Sequence, residues 1–184
     1  MKERKTIHLI PNAHIDPVWL WTWEEGYSET IHTCNYLVSL LKEFSDLTFT
    51  RSSANSYLWL EESNPELFKE IKKLVKKGKW IISGPWWEQP DCNIPSGESF
   101  IRHSLYGKKY FRKKFGIDVK VGYNPDSFGH NGNLPQLLKK SGIDFYLFCR
   151  PDKGEKELPQ IFWWEGIDGS RVLTCRPPFF YTFP

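Results

Sequence analysis

A chain of 184 residues with 40% hydrophobic side chains can bury a core, which excludes a disordered tail. Its net charge of +3 is too small to argue for nucleic-acid binding. No stretch approaches the roughly 20 apolar residues of a membrane span, and "MKERKTIHLIPNAH" carries too interrupted an apolar run for a signal peptide.

Residues 6–11 read as a buried strand, with His8 a satisfied core residue on its alternate face. Residues 28–44 follow as a helix with Ile31, Leu37, Leu40, Leu41 and Phe44 on its apolar side. "DLTFTRS" is a strand, and residues 65–77 a helix closed by Gly78. "KWIISG" is the next strand and residues 97–114 the next helix, followed by the strand "VKVGYN". A short helix over residues 134–140 stops at Gly142, and "DFYLFC" is again a strand. "IFWWEGIDGSRVLTC" predicts two strands joined by a turn at Asp168-Gly169, in which Asp168 is structural. The lysines of "NPELFKEIKKLVKKGKW" and the basic and aromatic mix of "FIRHSLYGKKYFRKKFG" fall on solvated helix faces. His32 and His103, inside helices, carry no chemical signal.

Four scattered cysteines (Cys34, Cys92, Cys149, Cys175) form no CxxC pair, which suits a reducing compartment and predicts a cytoplasmic protein. Aromatic residues reach 16%, with nine tryptophans, several in pairs such as Trp86-Trp87 and Trp163-Trp164. A core rarely needs so many amphipathic rings, whereas sugar sites stack the C–H face of a pyranose on them. Tryptophan content alone is a weak signal for carbohydrate.

Strand and helix alternate, which argues for a parallel sheet with crossover helices, open or closed as a barrel. In such folds chemistry sits at the carboxyl ends of strands. The polar clusters fall there: "NAHID", "GPWWEQPDCN", "YNPDSFGHNG" and "CRPD". His14 and Asp16 in extended chain point to one side and can converge on one ion, and imidazole with carboxylate suits Zn²⁺. The plain alternative is a turn started by Asp16-Pro17. A third ligand must come from another strand end, the candidates being Asp91, Asp126, His130 and Asp152. Of these Asp126 lies in a Gly/Asn/Pro-rich loop, the usual setting for a functional carboxylate.

The segments "NAHIDPVWLW", "PDCNIPSGESF", "YNPDSFGHNGNLPQLLKKSGIDFYLFCR" and "FWWEGIDGSRVLT", in that order, resemble the catalytic domain of the α-mannosidases of glycoside hydrolase family 38. The resemblance runs from about His8 to Tyr181. It implies a seven-stranded (β/α) barrel with one Zn²⁺ at the sugar site. His14 and Asp16 match two of the family's zinc ligands, and Asp126 matches the residue that is third ligand and nucleophile. Trp19 matches the tryptophan beneath the bound mannose ring, Arg150 the arginine near the nucleophile, and Tyr181 a substrate-contacting tyrosine. His130 reads as loop architecture. The implied reaction is retaining hydrolysis of α-mannosides or mannose-containing oligosaccharides, with no nucleic acid and no membrane involved.

The family's acid/base aspartate and its fourth zinc ligand, a histidine, have no match in these residues. The whole chain, 1–184, is therefore expected to be the N-terminal portion of the barrel, inert alone and prone to self-association through open sheet edges. Two other readings are a metal-dependent polysaccharide deacetylase, whose spaced histidine pair is missing, and a mannose-binding module that does not cleave.

Overall fold

The computed structural model describes residues 6–178 and residue 181. Helix α1 (Trp23–Glu43) begins ahead of the predicted residue 28, because Glu25 accepts the Thr22 N–H at 3.0 Å and so caps the first turn. Gly26 sits in that turn for a packing reason. A Cβ there would lie 2.2 Å from the Pro17 carbonyl oxygen, so the 14–17 loop rests directly on α1. That contact outweighs the ~1 kcal/mol helix cost of glycine.

Strand β1 (Phe49–Arg51) runs into helix α2 (Ala54–Ser63), which the periodicity did not reveal. Polar Asn55 and Ser56 in its first turn blur the apolar face, and its start is fixed from far along the chain. Ala54 N donates to Trp86 O at 3.0 Å and Asn55 N to Trp87 O at 2.9 Å, satisfying amides that a helix leaves unpaired. Helix α3 (Pro65–Lys76) matches expectation: Asn64 Oδ1 accepts from Leu67 N at 3.1 Å, and Gly78 follows with φ +69°. Strand β2 (Trp80–Ile82) leads to helix α4 (Gly97–Phe115), capped by Ser96 and stopped by left-handed Gly116. Strand β3 (Val121–Asn124), helix α5 (Leu134–Lys140) and strand β4 (Phe145–Phe148) lie within or upon their predicted bounds. Strands β5 (Ile161–Glu165) and β6 (Arg171–Cys175) form the expected hairpin, with Asp168 accepting from Ser170 N at 3.0 Å in its turn.

The strands form two small sheets in a mixed α/β fold. β1 and β2 pair in parallel; β3, β4 and β6 pair in parallel, with β5 antiparallel on the edge. Gly84 N donates to Val121 O at 2.8 Å, joining the chain beyond β2 to β3. The predicted strand at residues 6–11 does not form. Only Asn12 bridges Thr50, in parallel, and Ile7 (83% exposed) and Leu9 (73%) face solvent. With one isolated bridge and no ladder, its alternating residues have no sheet face to bury. His8 is accordingly exposed, not a core residue.

Two apolar clusters build the core. One gathers Phe49, Tyr57, Ile71, Trp80 and Phe111; the other Trp86, Phe100, Leu134, Leu138, Tyr146 and Val172. Trp80 Nε1 donates to Tyr57 Oη at 2.9 Å and Trp86 Nε1 to the Tyr123 carbonyl at 3.2 Å. Two of the tryptophans that suggested sugar therefore serve the core, each with its N–H satisfied. Lys108, unlike the solvated lysines around it, is buried. Its ammonium donates to Ser141 O (3.1 Å) and Gly142 O (3.0 Å) and pairs with Asp118 (3.1 Å), clamping α4 to the carboxyl end of α5. Gly107 leaves room for a close approach on α4: a Cβ would lie 2.1 Å from Pro85 O, so the loop after β2 passes flush against the helix. No helix among the described residues is long and apolar enough to cross a membrane.

Candidate active site

The loop after residue 12 carries His14 and Asp16. Trp21 Nε1 donates to the Asp16 carbonyl at 3.0 Å, which holds the loop over the start of α1. His14 Nε2 and Asp16 Oδ1 stand 3.4 Å apart, a loose contact in which the imidazole nitrogen is buried with the Asp16 carboxylate as its polar neighbour. Burial lowers the His14 pKa, against the opposing pull of the Asp16 and Asp126 carboxylates. A neutral imidazole beside a carboxylate is the donor chemistry a Zn²⁺ site requires.

Asp126 follows β3 and Arg150 follows β4. Those strands pair in parallel with Asn124 opposite Phe148, so residues two beyond each end face one another. Arg150 Nε accordingly bonds Asp126 Oδ1. The Phe128 ring lies beneath the guanidinium, 4.9 Å from it. Tyr181 closes the arrangement. Its hydroxyl hydrogen-bonds to Asp126 and Arg150, while its ring meets His14 edge-on at 5.5 Å. Burial first, and the Asp126 carboxylate next, raise the Tyr181 pKa, so the phenol stays protonated and donates. Tyr181 is thus the link between the loop that carries His14 and the pair at β3 and β4.

The remaining candidates separate cleanly. Asp91 accepts from Asn93 N and Ile94 N at 2.7 and 2.8 Å, and Asp152 from Gly154 N and Glu155 N at 2.7 and 3.1 Å; both carboxylates hold turns. His130 packs on Phe148 and bonds the Arg150 carbonyl through Nε2 at 2.9 Å. Trp19 is 62% exposed, its indole edge-on to Trp21 at 5.2 Å. Among the described residues no three His, Cys, Asp or Glu side chains are gathered to hold a metal ion. His14 and Asp16 converge, while Asp126 is turned toward Arg150 and Tyr181.

Three residues of the site escaped sequence reasoning. Arg51, Glu88 and Gln89 line a cavity of about 80 Å³ together with His14 and Asp16. Arg51 is 2% exposed; Nη2 donates to Thr30 Oγ1 at 3.3 Å, while Nε and Nη1, with Glu88 Oε2 and Gln89 Oε1, have no hydrogen-bond partner. Burial raises the Glu88 pKa. His103, which carried no signal in the sequence, positions this loop: its Nδ1 accepts the Glu88 N–H at 3.3 Å. Arg51 closes β1, near the end of "DLTFTRS", so the strand-end rule applied to that strand would have found it.

The sequence profile of the glycosyl hydrolases family 38 N-terminal domain matches residues 4–184. Alpha-mannosidase G of Dictyostelium discoideum is 37% identical over 171 residues, covering 92% of this chain and 16% of its own length. An alpha-mannosidase of Saccharomyces cerevisiae is 35% identical over 175 residues, covering 94% of this chain and 16% of its own. The crystal structure of an alpha-mannosidase from Enterococcus faecalis V583 superposes with a TM-score of 0.84 at 25% identity, covering 94% of this chain and 20% of that one. The chain thus spans about one sixth of the length of these curated relatives.

Proposed function

The chain belongs to glycosyl hydrolase family 38, and from that membership we propose that it carries the nucleophile half of a zinc-dependent, retaining α-mannosidase. The observation that carries the reading is the Asp126 carboxylate held between Arg150 and Tyr181 at the ends of adjacent parallel strands. A nucleophile needs one oxygen free and the other fixed, and Arg150 with Tyr181 supplies the fixing.

Asp126 attacks the anomeric carbon of a terminal α-mannosyl residue as the bond to the leaving oxygen breaks, giving a glycosyl ester. A second carboxyl, outside this chain, protonates the leaving oxygen and then takes a proton from the water that cleaves the ester. Such carboxyl pairs lie about 5–5.5 Å apart. His14, Asp16 and Asp126 would hold zinc, a role that the convergence of His14 with Asp16, and the pull of the Asp126 carboxylate on the same imidazole, support. When bound, zinc supplies Lewis acidity and a template for vicinal hydroxyls. Trp19 offers an exposed indole as a platform for the sugar ring.

The two sheets belong to a seven-stranded barrel in this reading, and the 184-residue segment is inert alone. Exposed Ile7, Leu9 and Ile10 favour its self-association. Four free cysteines favour the cytoplasm. The test is release of nitrophenol from 4-nitrophenyl α-mannoside. The full-length protein should release it, while the segment and the full-length Asp126→Asn variant should not. Turnover by the segment, or by Asp126→Asn, would overturn the reading.

A further inference from the structure

Beneath Asp126 and Arg150 lies a continuous set of buried polar side chains that the mechanism above leaves unused. His130 Nε2 stands 2.9 Å from the Arg150 carbonyl oxygen and His130 Nδ1 stands 3.2 Å from Tyr146 Oη. Tyr146 Oη is 3.5 Å from Cys92 Sγ, which is 3.4 Å from Ser127 Oγ and 3.5 Å from Asn124 Nδ2. Tyr146, Cys92, Ser127 and Asn124 are each 2% exposed or less.

The donor directions at His130 follow by elimination. A carbonyl only accepts, so His130 Nε2 carries the proton. Burial keeps the imidazole neutral, leaving Nδ1 bare to accept from the Tyr146 hydroxyl. The tyrosine oxygen lies within hydrogen-bond distance of the Cys92 sulfur, which accepts from the Asn124 amide, while the thiol also faces Ser127 Oγ and the Pro90 carbonyl at 3.8 Å. The chain therefore starts at Asn124, two residues before the nucleophile, and ends on the backbone of the arginine that holds it. Ser127, next to Asp126, is tied to the same thiol. The His130 ring is fixed as well, packed at 4.7 Å on Phe148 and 5.7 Å on Trp164.

We propose that His130 is a positioning residue for the glycosidase reaction: it anchors the Arg150 backbone so that the guanidinium meets Asp126, and Tyr146 and Cys92 anchor His130 in turn. This rests on the α-mannosidase reading above. Nothing in the chain touches substrate; its effect reaches the reaction only through Arg150.

The test is a double-mutant cycle in the full-length protein. His130→Phe keeps the ring and removes both hydrogen bonds, and should lower kcat about 30-fold with KM changed less than about threefold. His130→Gln, which restores a donor to the Arg150 carbonyl, should recover part of that loss. Arg150→Ala alone and Arg150→Ala with His130→Phe should be equally slow, because a residue acting through Arg150 has nothing left to act on. Multiplying losses, or an unchanged kcat in His130→Phe, overturns the proposal. Tyr146→Phe removes one hydroxyl from the same chain and runs the same cycle if His130→Phe does not fold. Crystal structures of wild type and variant give a second readout: Arg150 should withdraw from Asp126 in the variant, and an unmoved Arg150 overturns the proposal. That readout stands even if the wild type cleaves no α-mannoside, an outcome that overturns the functional reading alone.

Discussion

His14 Nε2 lies 3.4 Å from Asp16 Oδ1, so two metal-competent atoms converge on one side of the 14–17 loop. If they hold zinc, the full-length protein should contain about one zinc per chain, and His14→Ala or Asp16→Ala should lose most of it. Elemental analysis of purified protein measures this without reference to activity. Unchanged zinc in both variants would remove these residues from the ligand set.

Tyr181 joins His14 to Asp126 by a ring contact and a hydroxyl. Tyr181→Phe keeps the ring and removes only the donor to the carboxylate. The full-length variant should retain its zinc and fold, yet hydrolyse an aryl α-mannoside about tenfold more slowly, since a hydrogen bond to a charged group contributes roughly 1.5–3 kcal/mol. An unchanged kcat would show that the hydroxyl does not orient the nucleophile.

Glycine to alanine inside a helix ordinarily stabilises by about 1 kcal/mol. At Gly26 and Gly107 the sign should reverse, because the added Cβ would stand 2.2 Å from Pro17 O and 2.1 Å from Pro85 O. Each alanine should cost about 1–3 kcal/mol in denaturant titration of the full-length protein. Neutral or stabilising substitutions would mean that the 14–17 and 85–87 loops do not rest on α1 and α4.

Asp118 carries the acid sensitivity of the α4–α5 contact. Its burial raises its pKa, but the ammonium groups of Lys120 and Lys108 outweigh this and hold it at about 2. A folded value below the usual carboxylate value of about 3.9 stabilises the fold above that pH, and the contribution disappears as pH falls toward 2. The loss is modest, about 1 kcal/mol, because the carboxylate and Lys120 are partly solvated. Between pH 4 and 2 the wild type should therefore lose more stability than Asp118→Asn. Parallel stability curves would contradict this.

Much of this was legible in the sequence, and the exceptions have physical causes. Helices α3 and α5 carry their own stop signals, Gly78 and Gly142, and their bounds were read almost to the residue. Helix α2 was missed because its start is secured by the carbonyls of Trp86 and Trp87, some thirty residues away, and not by a local cap. Residues 6–11 were over-read: alternation marks a strand only where neighbours pair with it, and here one bridge forms. At the site, the strand-end rule singled out Asp126 and the family resemblance supplied Arg150, and the parallel register of β3 and β4 brings the two side by side; Asp91, His130 and Asp152, offered by the same rule, serve turns and packing instead. The pairing of Asp126 with Arg150, and the orphaned atoms of Arg51 and Glu88, depend on rotamers and packing that no spacing encodes.

The central claim is that Asp126 forms a covalent glycosyl ester in a retaining α-mannosidase. The most direct measurement is proton NMR of an aryl α-mannoside during hydrolysis by the full-length protein, following the anomeric signal of the first mannose released. The account requires α-mannose to appear first and then mutarotate, with neither anomer released by Asp126→Asn. β-Mannose as the first product, or undiminished turnover by Asp126→Asn, would contradict it.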